Sequence, residues 1–319
     1  MTRLGGIDLG GTKIQAVVVD GDHRVLGDAR VPTPTTGGPP DVIAAMAGAL
    51  RSAAETAGVD VSELDAAGVG SPGAIDEAAG TVSSARNLPD WAGTFPMRDA
   101  LQQDLGIPVA LGNDVTVATE AEFHLGAASE YDSLLGVFWG TGVGGGLVLD
   151  GKTWTGRGAA GEIGHVVVEA GGARCPCGRR GCMEAYAGRG AMEQRARKLA
   201  DEGRKTALFK IMQERGRPRL TSGIWKRALD RDDDLAHELI DRAVRALGVG
   251  VASAVNLLDV EAVVIGGGLG LKLGEAYAER ILEAMAPHLF VDDRPPAVRL
   301  AALGDLGGAQ GAALLAAGC

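Results

Sequence analysis

The sequence predicts an α/β chain built as two related domains, and three observations carry that expectation. Short β-branched runs alternate with Ala-rich stretches along the whole chain, the order expected when helices cover a largely parallel sheet. At 319 residues the chain exceeds one average domain. Residues 6–22 (GIDLGGTKIQAVVVDGD) also align without gaps on residues 136–152 (GVFWGTGVGGGLVLDGK), matching at Gly6/Gly136, Gly10/Gly140, Val18/Val148, Asp20/Asp150 and Gly21/Gly151. Each copy reads strand, glycine turn, strand, aspartate-glycine turn. Either two unrelated hairpins share common residues, or a duplicated domain offers one glycine hairpin per half. Only the first copy has an acid, Asp8, where the second has Phe138.

Leu4 to Leu9 and Ile14 to Val19 read as strands around the first glycines, with Asp20-Gly21 as a hairpin turn. Pro32 to Pro40 is a connector, followed by a helix from about Asp41 to Ala57 whose Val42, Met46, Ala49 and Leu50 share one face. Val109 to Leu111 is a strand; Asn113-Asp114 ends it and opens a helix over Val115 to Leu125. Leu134 to Trp139 and Leu147 to Leu149 are further strands. Lys205 to Asp234 is charge-rich and reads as a solvated helical excursion. Val263 to Ile265 is a buried strand running through Gly266 to Gly270 into a helix over Leu273 to Ala286.

Composition bounds the partners. A formal charge of −10 and a pI near 5.1 argue against nucleic acid and acidic membranes, which need a basic footprint, and leave a small molecule. The 50 glycines have no three-residue period, so they belong to turns and ligand loops rather than collagen. The longest apolar window, Ala246 to Leu258, is cut by Ser253 and Asn256 and falls short of the ~18 residues of a membrane span. Asp8 falls where a signal peptide needs its apolar core, so a cytoplasmic location is expected.

Three motif matches occur, and two of them are decoys. Gly140 to Gly145 fits G-x-G-x-x-G, but a strand follows where a dinucleotide fold needs a helix. Gly68 to Gly73 fits the same spacing after Leu64 to Ala67. Gly146 to Thr153 fits the P-loop spacing, yet its inner residues are strand formers and Trp154 to Gly158 is no helix.

The glycine turns still suit phosphates, because consecutive backbone N–H groups form an anion nest that only glycine lets a ligand approach closely. Asp8-Leu-Gly10-Gly11-Thr12-Lys13 adds a carboxylate suited to magnesium, a hydroxyl and a cation, the parts that neutralise a transferring phosphoryl group. A plain hairpin is the alternative. Asn113-Asp114 reads either as a helix N-cap or as a carboxylate positioned to accept a substrate hydroxyl proton. Glu162-Ile-Gly-His165, followed by Cys175, Cys177 and Cys182, offers three thiolates and an imidazole, a closed Cys₃His set for structural zinc; buried free thiols and a core histidine are the alternative. Glu162 and Glu184 flank those ligands, carboxylates able to accept hydrogen bonds from a polyol. The strand–glycine–helix junction at Gly266 to Gly270 suits a nucleotide, though many parallel strands end so.

Asp8-Leu-Gly-Gly-Thr-Lys13, Gly140-Thr-Gly-Val-Gly-Gly-Gly146, Glu162-Ile-Gly-His165 and Cys175-Pro-Cys-Gly-Arg-Arg-Gly-Cys182-Met-Glu184 together resemble the signatures of the ROK family (repressors, open reading frames and kinases). Asn87-Leu-Pro-Asp-Trp91 and Asn113-Asp114 are most similar to its bacterial glucokinases, and the resemblance spans about residues 3–316. It implies two actin-like (ribonuclease-H-like) α/β domains around a central cleft, in residues 1–115 and 116–302, usually in a homodimer. It places a helix at about 303–319 back on the first domain and a zinc knuckle at 165–184.

The resemblance further implies ATP-dependent phosphorylation of a hexose, with Asp114 as the base. Gly73, Asn87, Asn113, Glu162, His165 and Glu184 would grip the sugar, His165 sharing its second ring nitrogen with zinc. Asp8, Gly10, Gly11, Thr12, Lys13, Gly140, Thr141, Gly142 and Gly144 would hold ATP phosphates with magnesium, and Gly267 and Gly268 the adenosine side. Other hexoses or amino sugars, a polyphosphate donor, or a non-catalytic sugar sensor are the alternatives. The family's repressors carry a DNA-binding domain ahead of the first hairpin, and only seven residues precede Asp8 here, so no nucleic-acid partner is expected.

Overall fold

Glycine-turned hairpins begin the sheet in each half of the chain. The computed structural model describes residues 2–85 and 88–319. It divides into unit 1, Met1–Ser129, Thr155–Gly158 and Ala302–Cys319, and unit 2, Glu130–Trp154 and Ala159–Ala301.

In unit 1, β1 (Arg3–Leu9) pairs antiparallel with β2 (Lys13–Asp20), which continues into antiparallel β3 (Val25–Pro32). On its other side β1 runs parallel to β4 (Ala66–Ser71), and β4 parallel to β8 (Val109–Asn113), giving the order β3-β2-β1-β4-β8. Both faces of this sheet are apolar because both are covered. Helices α1 (Gly38–Thr56) and α2 (Met97–Leu105) lie on one face, where Val42, Met46 and Leu50 meet Ile7, Leu9 and Ile14. Helix α3 (Asp114–His124) and the last helix, α11 (Gly307–Ala316), lie on the other. The C-terminal helix thus packs within unit 1. It rests on backbone: a Cβ on Gly6 would stand 2.0 Å from the Ala309 oxygen, and one on Gly68 1.8 Å from that of Ala312. A small sheet of β5 (Ala74–Asp76), β6 (Thr81–Ser83) and β7 (Thr94–Phe95) completes the unit.

Unit 2 repeats the plan. Strands β9 (Leu134–Trp139) and β10 (Val143–Leu149) form the second hairpin, extended by β11 (Lys152–Thr153). β9 runs parallel to β12 (Ala262–Gly266), and β12 to β13 (Ala297–Leu300), giving the order β11-β10-β9-β12-β13. Strand order and the alternation of antiparallel and parallel pairs match unit 1 throughout, so the aligned segments occupy equivalent hairpins. Both decoys resolve as expected, since Gly140 to Gly145 runs into β10 and Gly146 to Thr153 spans β10 and β11. The aspartate-glycine turns close differently. Asp20 Oδ1 accepts the amides of Asp22 and Arg24, each at 2.9 Å, whereas Asp150 and Gly151 both take positive φ, 51° and 71°.

The helices of unit 2 are α4 (Glu184–Ala187), α5 (Arg189–Asp201), α6 (Leu208–Glu214), α7 (Ser222–Leu229), α8 (Asp234–Leu258), α9 (Gly267–Leu273) and α10 (Glu275–Met285). The segment 205–234 is not the solvated excursion expected. Leu208, Ile211, Leu220, Ile224 and Trp225 are buried in the unit's core, and the charges occupy the other faces of α6 and α7. Two helix starts also move. α1 begins at Gly38 rather than Asp41, because Pro39 and Pro40 sit in its first turn, where a missing N–H costs nothing. The helix after β12 begins at Gly267 rather than Leu273 and is interrupted at Gly274, φ 80°, before α10. Among the described residues no helix is long and apolar enough to cross a membrane.

The expected division at 115/116 falls inside α3, which packs on α11 and stays with unit 1. Glu122 fixes this end of α3. It is 2% exposed, and its carboxylate accepts the amides of Ala127 and Ala302 at 2.9 Å and Leu303 at 3.0 Å. Glu122→Ala orphans three amides, so a loss of about 3 kcal/mol in denaturant unfolding is expected, with Glu122→Gln intermediate.

Candidate functional site

Unit 1 gathers its candidate residues at the carboxyl ends of three adjacent strands, where ligands bind in open α/β sheets. Asp8 lies opposite Gly70, and Ser71 opposite Asn113, so β1, β4 and β8 deliver Asp8, Gly73 and Asn113-Asp114 to one edge. The Gly10-Gly11-Thr12 turn is closed by the Gly10 amide on the Lys13 oxygen at 3.0 Å. Thr33, buried at the end of β3, donates its hydroxyl to the Gly10 oxygen at 2.6 Å, and its amide to the Thr12 oxygen at 3.2 Å. Lys13 donates to Gln15 and pairs with Asp305 at 3.2 Å.

Burial, then repulsion from Asp114, pushes the Asp8 carboxyl up to about 7, against the opposing pull of Lys13. The sign follows. A folded value above the unfolded 3.8 means that the folded state holds the proton more tightly, so Asp8 erodes stability as pH rises from about 4 to 7. In metal-free buffer, Asp8→Asn is therefore expected to stabilise the chain at pH 8 by on the order of 2 kcal/mol, and to match wild type at pH 4. Thermal melts at both pH values measure it; a variant no more stable at pH 8 than at pH 4, relative to wild type, contradicts the burial of a charged Asp8.

Asn113 is the N-cap of α3, its Oδ1 accepting the amides of Val115 at 3.1 Å and Thr116 at 3.3 Å. Asp114 begins the helix, and its Oδ1 accepts from the Val115 amide at 2.9 Å. Gly73 holds φ 103°, and a Cβ there would stand 2.6 Å from the Ser83 oxygen. Asn87 lies outside the described residues.

In unit 2 the second turn is shorter than the Gly140 to Gly146 expected. Only residues 140–142 turn; Gly144 to Gly146 lie in β10, Gly144 opposite Phe138, and a Cβ on Gly145 would meet the Gly136 oxygen at 2.7 Å. Gly267, φ 78°, packs on Trp139, whose oxygen would lie 2.6 Å from an added Cβ, and this brings Gly268 beside Gly140. Glu184 turns onto the same hairpin. Its Oε2 accepts the Val143 amide at 3.0 Å, and its Oε1 lies 3.8 Å from the Cys175 sulfur. Arg189 bonds the Thr141 hydroxyl at 2.8 Å.

The knuckle converges. The Nδ1 or Nε2 of His165 and the Sγ atoms of Cys175, Cys177 and Cys182 all lie within 4.8 Å of one another. The Cys177–Cys182 sulfurs are 3.7 Å apart, and Cys175 Sγ is 3.8 Å from His165 Nδ1. These match the tetrahedral edge of about 3.8 Å that zinc–sulfur bonds of ~2.3 Å require, so the donor set fits zinc. His165 Nε2 faces away, 3.7 Å from Glu162 Oε2. Burial pushes the Cys175 thiol up to about 12 and Cys182 upward, while the Arg179 backbone amide brings Cys177 down to about 7.

Residues 4–318 match the ROK family. The chain belongs to it. Among its ROK relatives, the glucokinase of Thermotoga maritima is 35% identical over 292 residues, 90% of this chain and 88% of its own. A ROK hexokinase structure from Thermus thermophilus is 38% identical, with a TM-score of 0.80 over 99% of this chain and 98% of its own. A ROK glucokinase from Streptomyces griseus, solved with glucose and AMPPNP, is 33% identical, with a TM-score of 0.84 over 99% and 100% of the two chains. These relatives support the actin-like α/β fold expected of a ROK chain. Thr33, Glu122 and Arg189, which tie the ROK glycine turns and helix ends together, carry no motif of their own, and only the fold reveals them.

Proposed function

We propose that this ROK chain is a glucokinase, transferring the γ-phosphoryl group of ATP to the 6-hydroxyl of D-glucose. The observation that carries the reading is the pair of carboxylates at one sheet edge, Asp114 raising Asp8 beside the first glycine turn. Asp114 accepts the hydroxyl proton as the oxygen attacks phosphorus. Gly73, Asn87, Asn113, Glu162, His165 and Glu184 are the residues assigned to the sugar hydroxyls. His165 offers Nε2 to the sugar while Nδ1 faces the thiols. The amides of Gly10, Gly11 and Thr12, the Lys13 ammonium, and the Gly140-Thr141-Gly142 turn with Gly144 behind it cradle the phosphates, with Gly267 and Gly268 on the adenosine side. Asp8 suits magnesium, which neutralises phosphate charge when bound. Zinc in the Cys₃His set is structural, because four protein ligands leave no open position. A cytoplasmic homodimer completes the reading.

The test is ADP release with magnesium and ATP against glucose, mannose, fructose, N-acetylglucosamine, N-acetylmannosamine and no sugar. Turnover highest with glucose is expected. A different preferred sugar corrects the substrate, and silence across the panel in zinc-replete protein that binds sugar overturns the kinase in favour of a sensor.

A further inference from the structure

Arg189 is a partly buried cation that forms no ion pair among the described residues. It opens α5, where its backbone amide donates to the Gly140 oxygen at 3.1 Å and that of Gly190 to the Thr141 oxygen at 3.0 Å. Its guanidinium donates to Thr141 Oγ1 at 2.8 Å and to Ser222 Oγ at 2.9 Å. Main chain and side chain are thus both fixed on the second glycine turn. A Cβ on Gly268 would lie 3.7 Å from that Ser222 hydroxyl. The guanidinium therefore spans from the Thr141 turn towards the glycines that follow β12.

Both side-chain partners are neutral hydroxyls. Among the described residues no carboxylate forms an ion pair with Arg189. Glu193, the acid that acts on it, is held by Arg197 at 2.6 Å and by the Leu220 amide at 3.0 Å. Burial, then repulsion from the charge of Arg219, lowers the guanidinium below its ordinary range. The positive end of the α5 dipole adds to the cost. Desolvating a cation that has no ion-paired carboxylate is unfavourable, and the distant pull of Glu193 does not reverse it. An anion offsets it, and two neutral contacts leave most of the guanidinium's five donors available for one.

We infer that Arg189, with Arg219 beside it, binds the polyphosphate chain of the donor nucleotide. The inference rests on the kinase reading and extends it to a charged clamp on unit 2. It also gives the 205–234 segment a task, since α7 supplies the Ser222 hydroxyl that holds the guanidinium in place.

Wild type, Arg189→Gln, Arg189→Lys and Arg219→Gln are compared by calorimetry with magnesium and AMPPNP, ADP or adenosine, and by steady-state kinetics with glucose. Arg189→Gln is expected to weaken AMPPNP and ADP by about 10- to 100-fold, and to raise KM for ATP alike. Adenosine affinity and KM for glucose stay at wild-type values, and Arg189→Lys, which keeps the charge but loses the fork, falls between. Folded Arg189→Gln that binds AMPPNP like wild type, or that loses adenosine equally, overturns the assignment. If Arg189→Gln fails to fold, Arg219→Gln decides: weakened AMPPNP with intact adenosine supports the clamp, and unchanged AMPPNP overturns it. Wild type that binds no nucleotide overturns the kinase reading together with the clamp, whereas wild-type binding matched by the variants overturns the clamp alone.

Discussion

Replacing Asp114 by Asn is expected to lower kcat with glucose by about 10² or more, the lower end of general-base contributions, while KM for glucose changes little. The substitution is well suited to the question because the cap of α3 does not depend on the charge it removes. Asn113 caps α3. The Asp114 oxygen that accepts from Val115 has a counterpart in the asparagine amide oxygen. Asp114 also destabilises its neighbour, since its repulsion helps to push the Asp8 carboxyl up to about 7. Removing the charge lets Asp8 ionise at lower pH, so the variant melts no lower than wild type at pH 8. Lost turnover in a protein at least as stable, with sugar affinity retained, assigns the proton acceptor. Retained turnover removes Asp114 from the role.

What the sequence made legible was local. A glycine turn between two β-branched runs needs only its own residues to become a hairpin, so β1-β2 and β9-β10 appear where the aligned segments place them, and their shared strand order follows. The knuckle was equally legible, because its four donors lie within one short stretch of chain and their chemistry is specific. Contacts between distant residues were not. Thr33 reaches Gly10 across 23 positions, Arg189 reaches Thr141 across 48, and Glu122 reaches Ala302 across 180, each through an unremarkable polar residue whose partner only the sheet order brings near. The 205–234 segment misled for a related reason. Its charges are numerous and its apolar residues sparse, yet Leu208, Ile211, Ile224 and Trp225 fall on the faces that α6 and α7 bury. Composition averaged over the segment hides a pattern that the helix period separates.

Removing the metal is expected to have the other large effect, through orientation rather than through the chemistry of transfer. Between β11 and α4 the chain has little regular secondary structure: the short helix at Ile163–His165, the isolated bridges Val167 to Cys182 and Arg174 to Arg180, and single backbone bonds such as the Val168 amide to the Gly181 oxygen at 2.8 Å. Residues 169–180 are largely exposed; Cys175 is the buried exception, and Gly181 to Met183 are buried in turn. A metal cross-link adds to the order here, and a zinc site in small domains is worth about 10–16 kcal/mol of folding free energy. Three assigned sugar contacts depend on that order. Glu162 precedes the cluster, His165 belongs to it, and Glu184 follows it, bonded to the second glycine turn through Val143 and close to Cys175. Wild type should hold about one zinc per chain, with three thiols protected in the native state. Chelation, or Cys177→Ser, should release the zinc, expose those thiols and cut kcat/KM for glucose by about 100-fold, while the separate core of unit 1 keeps its stability. Acid should do the same, because the ligands must lose protons to bind and Cys175 and Cys182 are pushed upward by burial. Protein that carries well under one zinc per chain, titrates all its thiols freely when native, and still turns over glucose would show that the cluster is a set of free thiols.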